Sequence, residues 1–186
     1  DLDAAIDQLK IVLSNEPHHT EAFENLKTLL VQAHRIPEAL QMCEQRLTAI
    51  NDRAARLEQL NEMADLALNH SQMPEAAIRY LAASVALEPR QLRRLRILAE
   101  LYDAQGQYQQ ALACYDAATR ISRDERLNAR MLLQMGHILE QKLGELEPAN
   151  RAYSRVVELD PDNGQALQAL VRVRRGRGDF RGALEG

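Results

Sequence analysis

The chain has 186 residues, of which 46% are hydrophobic, 4% aromatic and 27% charged, and its formal net charge is −4. A mildly acidic chain lacks the basic surface that general binding to nucleic acid or to an anionic membrane requires, so we expect neither partner. No apolar run approaches the roughly 18 residues of a membrane span. The scarcity of aromatic residues and the absence of tryptophan favour closely packed, alanine- and leucine-rich helices.

The first segment, residues 1–17, reads as a single amphipathic helix. Ile6, Leu9 and Leu13 follow the spacing of one helical face, and Pro17 then prevents the helix from continuing. No helix that could cover this face precedes it in the sequence. We therefore expect these three residues to form an exposed apolar strip, and the chain to associate with itself through this strip or through the region of Val171 and Val173.

The proline at the end of this segment recurs at a fixed interval. Pro17, Pro89 and Pro161 define a 72-residue period, and alanines divide each period into a 34-residue and a 38-residue step. These alanines are Ala5, Ala39, Ala77, Ala111, Ala149 and Ala183. A fixed internal period of this length predicts an array of stacked helical repeats.

The motif inside each repeat resembles that of the tetratricopeptide family, whose repeat length is the shorter of the two steps. In the third copy, Leu95, Leu98, Ala99 and Tyr102 occupy the first-helix pattern, and the second helix carries Ala111 four positions before a tyrosine. The resemblance implies an all-α, right-handed superhelix of antiparallel helical hairpins, an α-solenoid.

The repeat register divides the chain into six parts, and we interpret the whole as one array from a larger protein. A lone second helix and an incomplete last repeat flank four complete repeats: residues 1–17, 20–50, 52–89, 90–123, 124–161 and 162–186. In the two 38-residue steps no proline precedes the first helix. We expect that helix to begin early, with Asp52 or Asp124 as its N-cap, so that long and short first helices alternate.

Small residues and a turn position explain the spacing within each hairpin. The alanines of the second helices are expected where two helices approach most closely, because a larger side chain would push them apart. Gly106 fills the turn between the helices in one repeat, and Gly178 fills it one full period later. His34 takes this position in the first complete repeat and is expected to adopt a positive φ.

The resemblance to tetratricopeptide proteins implies that a concave groove is lined by fixed positions of the first helices. Residues 1–89 carry 7 Lys/Arg and 14 Asp/Glu, whereas residues 90–186 carry 16 and 13, so an acidic end and a basic end are predicted. The alternative is a set of solvated helix faces without a selected ligand. The predicted partner-binding residues are Glu24, Asn25, Glu58, Glu62, Asp65, Arg93, Arg96, Arg130, His137 and Arg172.

The sequence carries no motif for catalysis, so no enzymatic activity, cofactor or metal is expected. Cys43 and Cys114 fall at core-facing or near-core positions of second helices, where free cysteine serves as a small apolar residue. They fit a reducing compartment, and we predict a cytoplasmic location. His18 and His19 lie in a turn without further metal ligands nearby in the sequence.

These observations favour a protein–protein interaction scaffold that docks a peptide or a helix in its groove. Two alternatives stay open at this point. The chain could be a regulatory or substrate-recruiting domain of a larger enzyme, or it could be a structural array that associates with itself through its uncapped ends.

Overall fold

The computed structural model describes residues 1–69 and 73–176, and this part of the chain contains helices and no strand. The all-α expectation is therefore confirmed. The predicted start of another second helix and Gly178 lie outside the described residues. The ten α-helices of the described part are α1 (Leu2–Asn15), α2 (Thr20–Gln32), α3 (Ile36–Ala49), α4 (Arg53–Asn69), α5 (Pro74–Leu87), α6 (Leu92–Ala104), α7 (Tyr108–Ile121), α8 (Glu125–His137), α9 (Leu146–Leu159) and α10 (Gly164–Gly176).

The chain forms two compact units, Asp1–Glu88 and Pro89–Gly186. In the first unit α1 packs against α2, and each helix from α2 to α5 packs against the next one along the chain. In the second unit the same sequential packing runs from α6 to α10. Each unit is thus a short stack of helical hairpins in which neighbours in sequence are neighbours in space.

The apolar face of α1 is covered, contrary to the expectation of an exposed strip. Ile6 is fully buried in a cluster with Leu26 and Leu30, and Leu9 and Leu13 pack against the same cluster. The large apolar residues of α1 that remain exposed are Leu2, Ile11 and Val12. The prediction was wrong because α2 folds back over the predicted strip and covers it.

Helix ends follow the signals that the sequence predicts. In α1, α5 and α9 the last helical residue is followed by a C-cap residue and then by Pro17, Pro89 or Pro161. Asp124 caps α8 by accepting a hydrogen bond from the amide of Leu127 at 3.1 Å, and Asp52 accepts one from the amide of Ala55 at 2.7 Å. Each carboxylate satisfies one of the free amides at a helix N-terminus.

The first helices alternate in length, as the 34- and 38-residue steps predict. α2 and α6 have 13 residues each, whereas α4 has 17. α8 has 13 residues but continues through a five-residue π-helical segment, Ile138–Lys142, which sequence analysis did not predict. The extra length of this step is thus absorbed in part by a wider helical turn.

The turn between the helices of a hairpin adopts a left-handed backbone in three of the repeats. Gly106 has φ +72° and Gly144 has φ +71°, values that glycine adopts without steric cost. His34 occupies the equivalent turn with φ +58°. The expectation that this histidine accepts a positive φ is confirmed.

The helices of each hairpin meet at very small side chains. Ala39, Ala77, Ala111 and Ala149 are all 0% exposed. In α8, which pairs with α9 in one hairpin, the small residue is Gly136. A Cβ atom built on Gly136 would lie 2.4 Å from Cε1 of Tyr153. The tyrosine ring therefore occupies the space that any larger residue at position 136 would need.

We predict that Gly136→Ala destabilises the protein by about 1–3 kcal/mol, because the buried ring of Tyr153 must shift to admit the methyl group. Gly164→Ala is the matched control, since a Cβ atom there has no heavy atom within 4 Å. The control should be neutral or stabilising by up to about 1 kcal/mol. Equal denaturation midpoints for the two variants would show that the hairpin is not closely packed at residue 136.

Candidate functional site

The predicted acidic residues of the first unit lie on the first helices α2 and α4. Glu24, Glu58 and Glu62 are exposed and Asp65 is half-buried. Lys27 lies between two of them: its Nζ is 2.5 Å from Glu24 Oε2 and 3.0 Å from Glu62 Oε2. This part of the surface is therefore less acidic than the residue count of residues 1–89 implies.

Lys27 is held in place by its surroundings as well as by the carboxylates. Its side chain is only 15% exposed, and its Nζ lies 5.8 Å from the centre of the Phe23 ring. Burial lowers its pKa, but hydrogen bonds and charge interactions with Glu24 and Glu62 outweigh this effect and raise the pKa overall. The lysine is charged and bridges α2 to α4.

A small hollow of about 210 Å³ lies beside this bridge, between α3 and α4. The guanidinium of Arg46 stacks on Phe23 at 4.2 Å, and its Nη1 is 3.7 Å from Glu24 Oε1. Nη1 and the buried Nε2 of Gln59 lack hydrogen-bond partners. The lining residues are Glu24, Arg46, Ile50, Ala55, Glu58, Gln59 and Glu62.

A second hollow of the first unit, of about 390 Å³, lies between the C-terminal halves of α2 and α4. Val31 and Leu66 form its apolar wall, whereas Glu62 and Asp65 place carboxylates at it. Its other lining residues are Lys27, Thr28, Gln32 and Asn69. This combination suits an apolar side chain that is flanked by polar or basic groups.

Three of the predicted arginines of the second unit, Arg93, Arg96 and Arg130, lie on α6 and α8, and the fourth, Arg172, lies on α10. Arg93 and Arg130 are exposed and make no ion pair with any described residue, whereas Arg96 lies 3.8 Å from Glu100. Arg96 and Arg130 line the same hollow, of about 340 Å³. Its other lining residues are Glu100, Tyr115, Leu127, Met131, Leu133, Gln134 and Gln165.

His137 and Arg172, predicted as partner-binding residues, belong to a network around Tyr153. The hydroxyl of Tyr153 donates to Glu140 Oε2 at 2.9 Å and lies 3.3 Å from His137 Nδ1. Arg172 donates to both carboxylate oxygens of Glu140, at 2.5 and 2.7 Å. Two donors of Arg172 and one ring nitrogen of His137 are thus engaged inside the protein.

The charge of Glu140 is stabilised by this network. Its side chain is 9% exposed, and its pKa is lowered, first by the hydrogen bond from Arg172 and further by that from Tyr153. Burial, followed by the hydrogen bond to Glu140, raises the pKa of the Tyr153 hydroxyl. The glutamate is therefore ionised and the tyrosine neutral at physiological pH.

The structure brings together some of the predicted residues and not others. Glu58 and Glu62 share one hollow, and Arg96 and Arg130 share another. Asn25 and Arg93 lie on α2 and α6. Sequence analysis missed the bridging role of Lys27. The signal for it was a lysine in a position that is small in other repeats: Ala64, Ala99 and Gly136.

Cys43, Cys114 and His19 lie outside these surfaces. Cys43 is buried, and burial raises its pKa to about 11, so its thiol is protonated. Cys114 is a free, half-buried thiol. His19 caps α2 by accepting a hydrogen bond from the amide of Ala22 at 3.1 Å, a role that the sequence did not predict.

Within residues 1–69 and 73–176, no group of three or more His, Cys, Asp or Glu side chains is arranged to hold a metal ion. No helix there combines the length and the apolar composition that crossing a bilayer requires.

Hairpins of two helices that pack through buried alanines, with polar first-helix faces, define a helical-repeat interaction fold. Residues 97–125 and 129–163 match the tetratricopeptide repeat family model. This match and the structural similarities below support a tetratricopeptide-type repeat array, as the motif spacing predicts. A comparison with curated protein sequences finds no match.

Several solved structures share the fold at low sequence identity. A crystal structure of MamA is 18% identical with a TM-score of 0.60, over 89% of this chain and 86% of MamA. YrrB, described as a TPR protein with an unusual peptide-binding site, is 18% identical with a TM-score of 0.55, over 90% and 82%. BtubC from P. vanneervenii is 14% identical with a TM-score of 0.52, over 98% and 84%.

We predict that Glu140→Gln destabilises the protein by about 1–3 kcal/mol at pH 7, because it removes a charged acceptor from Arg172 and Tyr153. The folded-state pKa of Glu140 lies below its ordinary value of 4.5. The stabilisation is therefore present above the unfolded-state pKa and is lost as the pH falls through the folded-state pKa.

Urea denaturation of both proteins between pH 7 and pH 3 tests this prediction, and the difference between them should shrink below about pH 4.5. Glu158→Gln is the matched control on α9, since its ion pair with Arg155 is exposed and should contribute less than about 1 kcal/mol. A Glu140→Gln effect that does not change with pH would contradict the assignment.

Proposed function

We propose that this chain is a protein–protein interaction scaffold whose first-helix faces bind a segment of a partner protein. The observation that carries the proposal is the hollow of the second unit that Arg96 and Arg130 line. Its walls combine two guanidinium groups with the amide of Gln134 and with apolar Leu127 and Met131. This mixture of apolar surface and a few convergent polar groups is typical of a binding site.

The guanidinium groups of the second unit indicate that the proposed partner carries a negative charge. Arg93 and Arg130 are exposed without an ion pair among the described residues, so their charges are available to an anionic group. Guanidinium forks bind carboxylates and phosphates with paired hydrogen bonds. We therefore propose that the second unit binds an acidic side chain or a C-terminal carboxylate of the partner.

The first unit offers complementary chemistry on its own surface. Glu58 lies in a hollow with Glu62 and makes no ion pair with any described residue. Glu62 is partly neutralised by Lys27. We propose that this surface contributes a subsite for a basic side chain, with Glu58 as its main charged contact, and that Asn25 contributes a neutral hydrogen-bonding group.

The test begins with selection of peptides from a random displayed library against the full chain. We predict that the double variant Arg93→Glu/Arg96→Glu binds the selected acidic peptides at least about tenfold more weakly, because two attractive charges become repulsive. The loss should shrink as salt rises, since exposed charges are screened within about 10 Å at 0.1 M. Titration calorimetry at low and high salt measures both effects.

The matched control is Arg151→Glu/Arg155→Glu, which changes the net charge equally on the exposed face of α9, a second helix. This control should bind the peptides as the parent does. If both double variants lose affinity equally, only net charge matters, and the first-helix face is not the binding surface.

Self-association is a second candidate function, and α1 supports it. Leu2, Ile11 and Val12 expose 39%, 55% and 36% of their surfaces on this helix. If α1 mediates association, Ile11→Ser should lower the apparent mass that sedimentation velocity gives for concentrated protein toward that of a monomer. A monomeric parent at all concentrations would exclude this function for the chain.

A further inference from the structure

Tyr115 of α7 has a hydroxyl group without a hydrogen-bond partner among the described residues. The residue is 4% exposed and faces a hollow of about 570 Å³ in the second unit. The other residues that line this hollow are Glu100, Asp103, Ala104, Tyr108, Gln134 and Lys142. The ring of Tyr115 is buried, and its hydroxyl is free to hydrogen-bond a group that enters the hollow.

The next repeat shows which kind of group satisfies a tyrosine in this position. Tyr153 follows Ala149 by four positions, as Tyr115 follows Ala111. Its hydroxyl donates to Glu140, and both carboxylate oxygens of Glu140 accept hydrogen bonds from the guanidinium of Arg172. The protein thus contains one complete site for an arginine side chain, and its own arginine fills it.

The hollow at Tyr115 has the acidic part of that site and lacks the arginine. Asp103 follows the small residue Ala99 by four positions, as Glu140 follows Gly136, so the two carboxylates are equivalent in the repeat. The residue equivalent to Arg172, one position after the small-residue slot, is His137. His137 instead lies beside the hydroxyl of Tyr153, at 3.3 Å.

The charges around the hollow favour a cation. Asp103 makes no ion pair with any described residue, and Glu100 has only a long contact of 3.8 Å with Arg96. Burial, followed by the charges of Glu100 and Asp103, raises the pKa of Tyr115 to about 12. Lys142 is exposed and forms no ion pair within the described ranges, so its ammonium leaves both carboxylates available.

We infer that the hollow lined by Glu100, Asp103 and Tyr115 binds the guanidinium group of an arginine side chain of the partner. The guanidinium donates a pair of hydrogen bonds to Asp103 and interacts with the charge of Glu100, while the Tyr115 hydroxyl donates to Asp103. Arginine is favoured over lysine because its planar fork matches a carboxylate and lysine offers a compact ammonium. This inference rests on the proposed function, since it adds recognition of an arginine to the face of the second unit that we propose binds the partner.

The hollow lined by Arg96 and Arg130 lies next to the proposed arginine subsite. Tyr115, Glu100 and Gln134 line both hollows, so the arginine subsite adjoins the one formed by Arg96 and Arg130. A partner segment that fills both carries an arginine next to an acidic residue. Peptides selected against the chain should therefore be enriched in this pair rather than in acidic residues alone.

The direct test uses N-acetyl-L-arginine amide as the probe and NMR spectroscopy of the full chain. The probe should shift the ring signals of Tyr115 and the amide signals of Asp103 in a saturable way. Asp103→Asn should weaken binding at least about fivefold, and Tyr115→Phe should weaken it about threefold, because one loses the ionic acceptor and the other the hydroxyl. N-acetyl-L-lysine amide should bind more weakly than the arginine probe.

Two further variants make the result specific. Asp116→Asn removes a carboxylate from the outer part of α7, where it pairs with Arg120, and should leave probe binding unchanged. Arg172→Ala empties the equivalent site at Glu140, so the probe should then also shift the signals of Tyr153, which it does not affect in the parent. Thermal melts establish that each variant is folded.

The inference is overturned if the probe gives no saturable shift at Tyr115 up to about 50 mM, a concentration that detects very weak binding. It is also overturned if Asp103→Asn and Asp116→Asn bind the probe equally. Either result leaves the proposed function standing if the selected peptides still lose affinity in the Arg93→Glu/Arg96→Glu variant. If the probe does not bind at Tyr115 and the Arg93→Glu/Arg96→Glu variant also binds the selected peptides as the parent does, the face of the second unit is not a binding surface.

Discussion

The close approach of two helices at buried alanine and glycine residues is the constraint on which this structure depends. At Ala77, Ala111 and Ala149 the side chain is fully buried, and in the last of these hairpins a tyrosine ring occupies the space above Gly136. Each hairpin can close only if these positions stay small. The inner faces of the helices are committed to this contact, whereas the exposed faces of the first helices carry polar and charged residues that can serve binding.

The two tyrosines of the second unit show how one repeat architecture yields different surfaces. Both occupy the same position after a regularly spaced alanine, and both bury their rings. Tyr153 has its hydroxyl satisfied by Glu140, which Arg172 neutralises, whereas Tyr115 faces an open hollow beside Asp103. The guanidinium of Arg172 in the following helix is the part of the closed network that the hollow at Tyr115 lacks.

Charge counts along the chain describe these surfaces incompletely. The acidic side chains of the first unit include Glu24 and Glu62, yet both are neutralised in part by Lys27. The side chain of Lys27 is only 15% exposed. Arg172 in the second unit is likewise paired with Glu140. The charges that remain available are the ones that a partner would meet, because an unpaired exposed charge loses no internal contact when a ligand binds. They include those of Glu58, Asp103, Arg93 and Arg130.

The sequence by itself determined the all-α class, the repeat period, the helix ends at the prolines, the Asp124 cap and the positive φ of His34. These features depend on local backbone chemistry and on a spacing that repeats along the chain. Only the tertiary structure decided that α2 covers Ile6, that Lys27 bridges two helices and that Tyr115 lacks a partner while Tyr153 has one. Each of these depends on which side chains from different helices meet, and a one-dimensional pattern gives positions on a helix but not the partners opposite them.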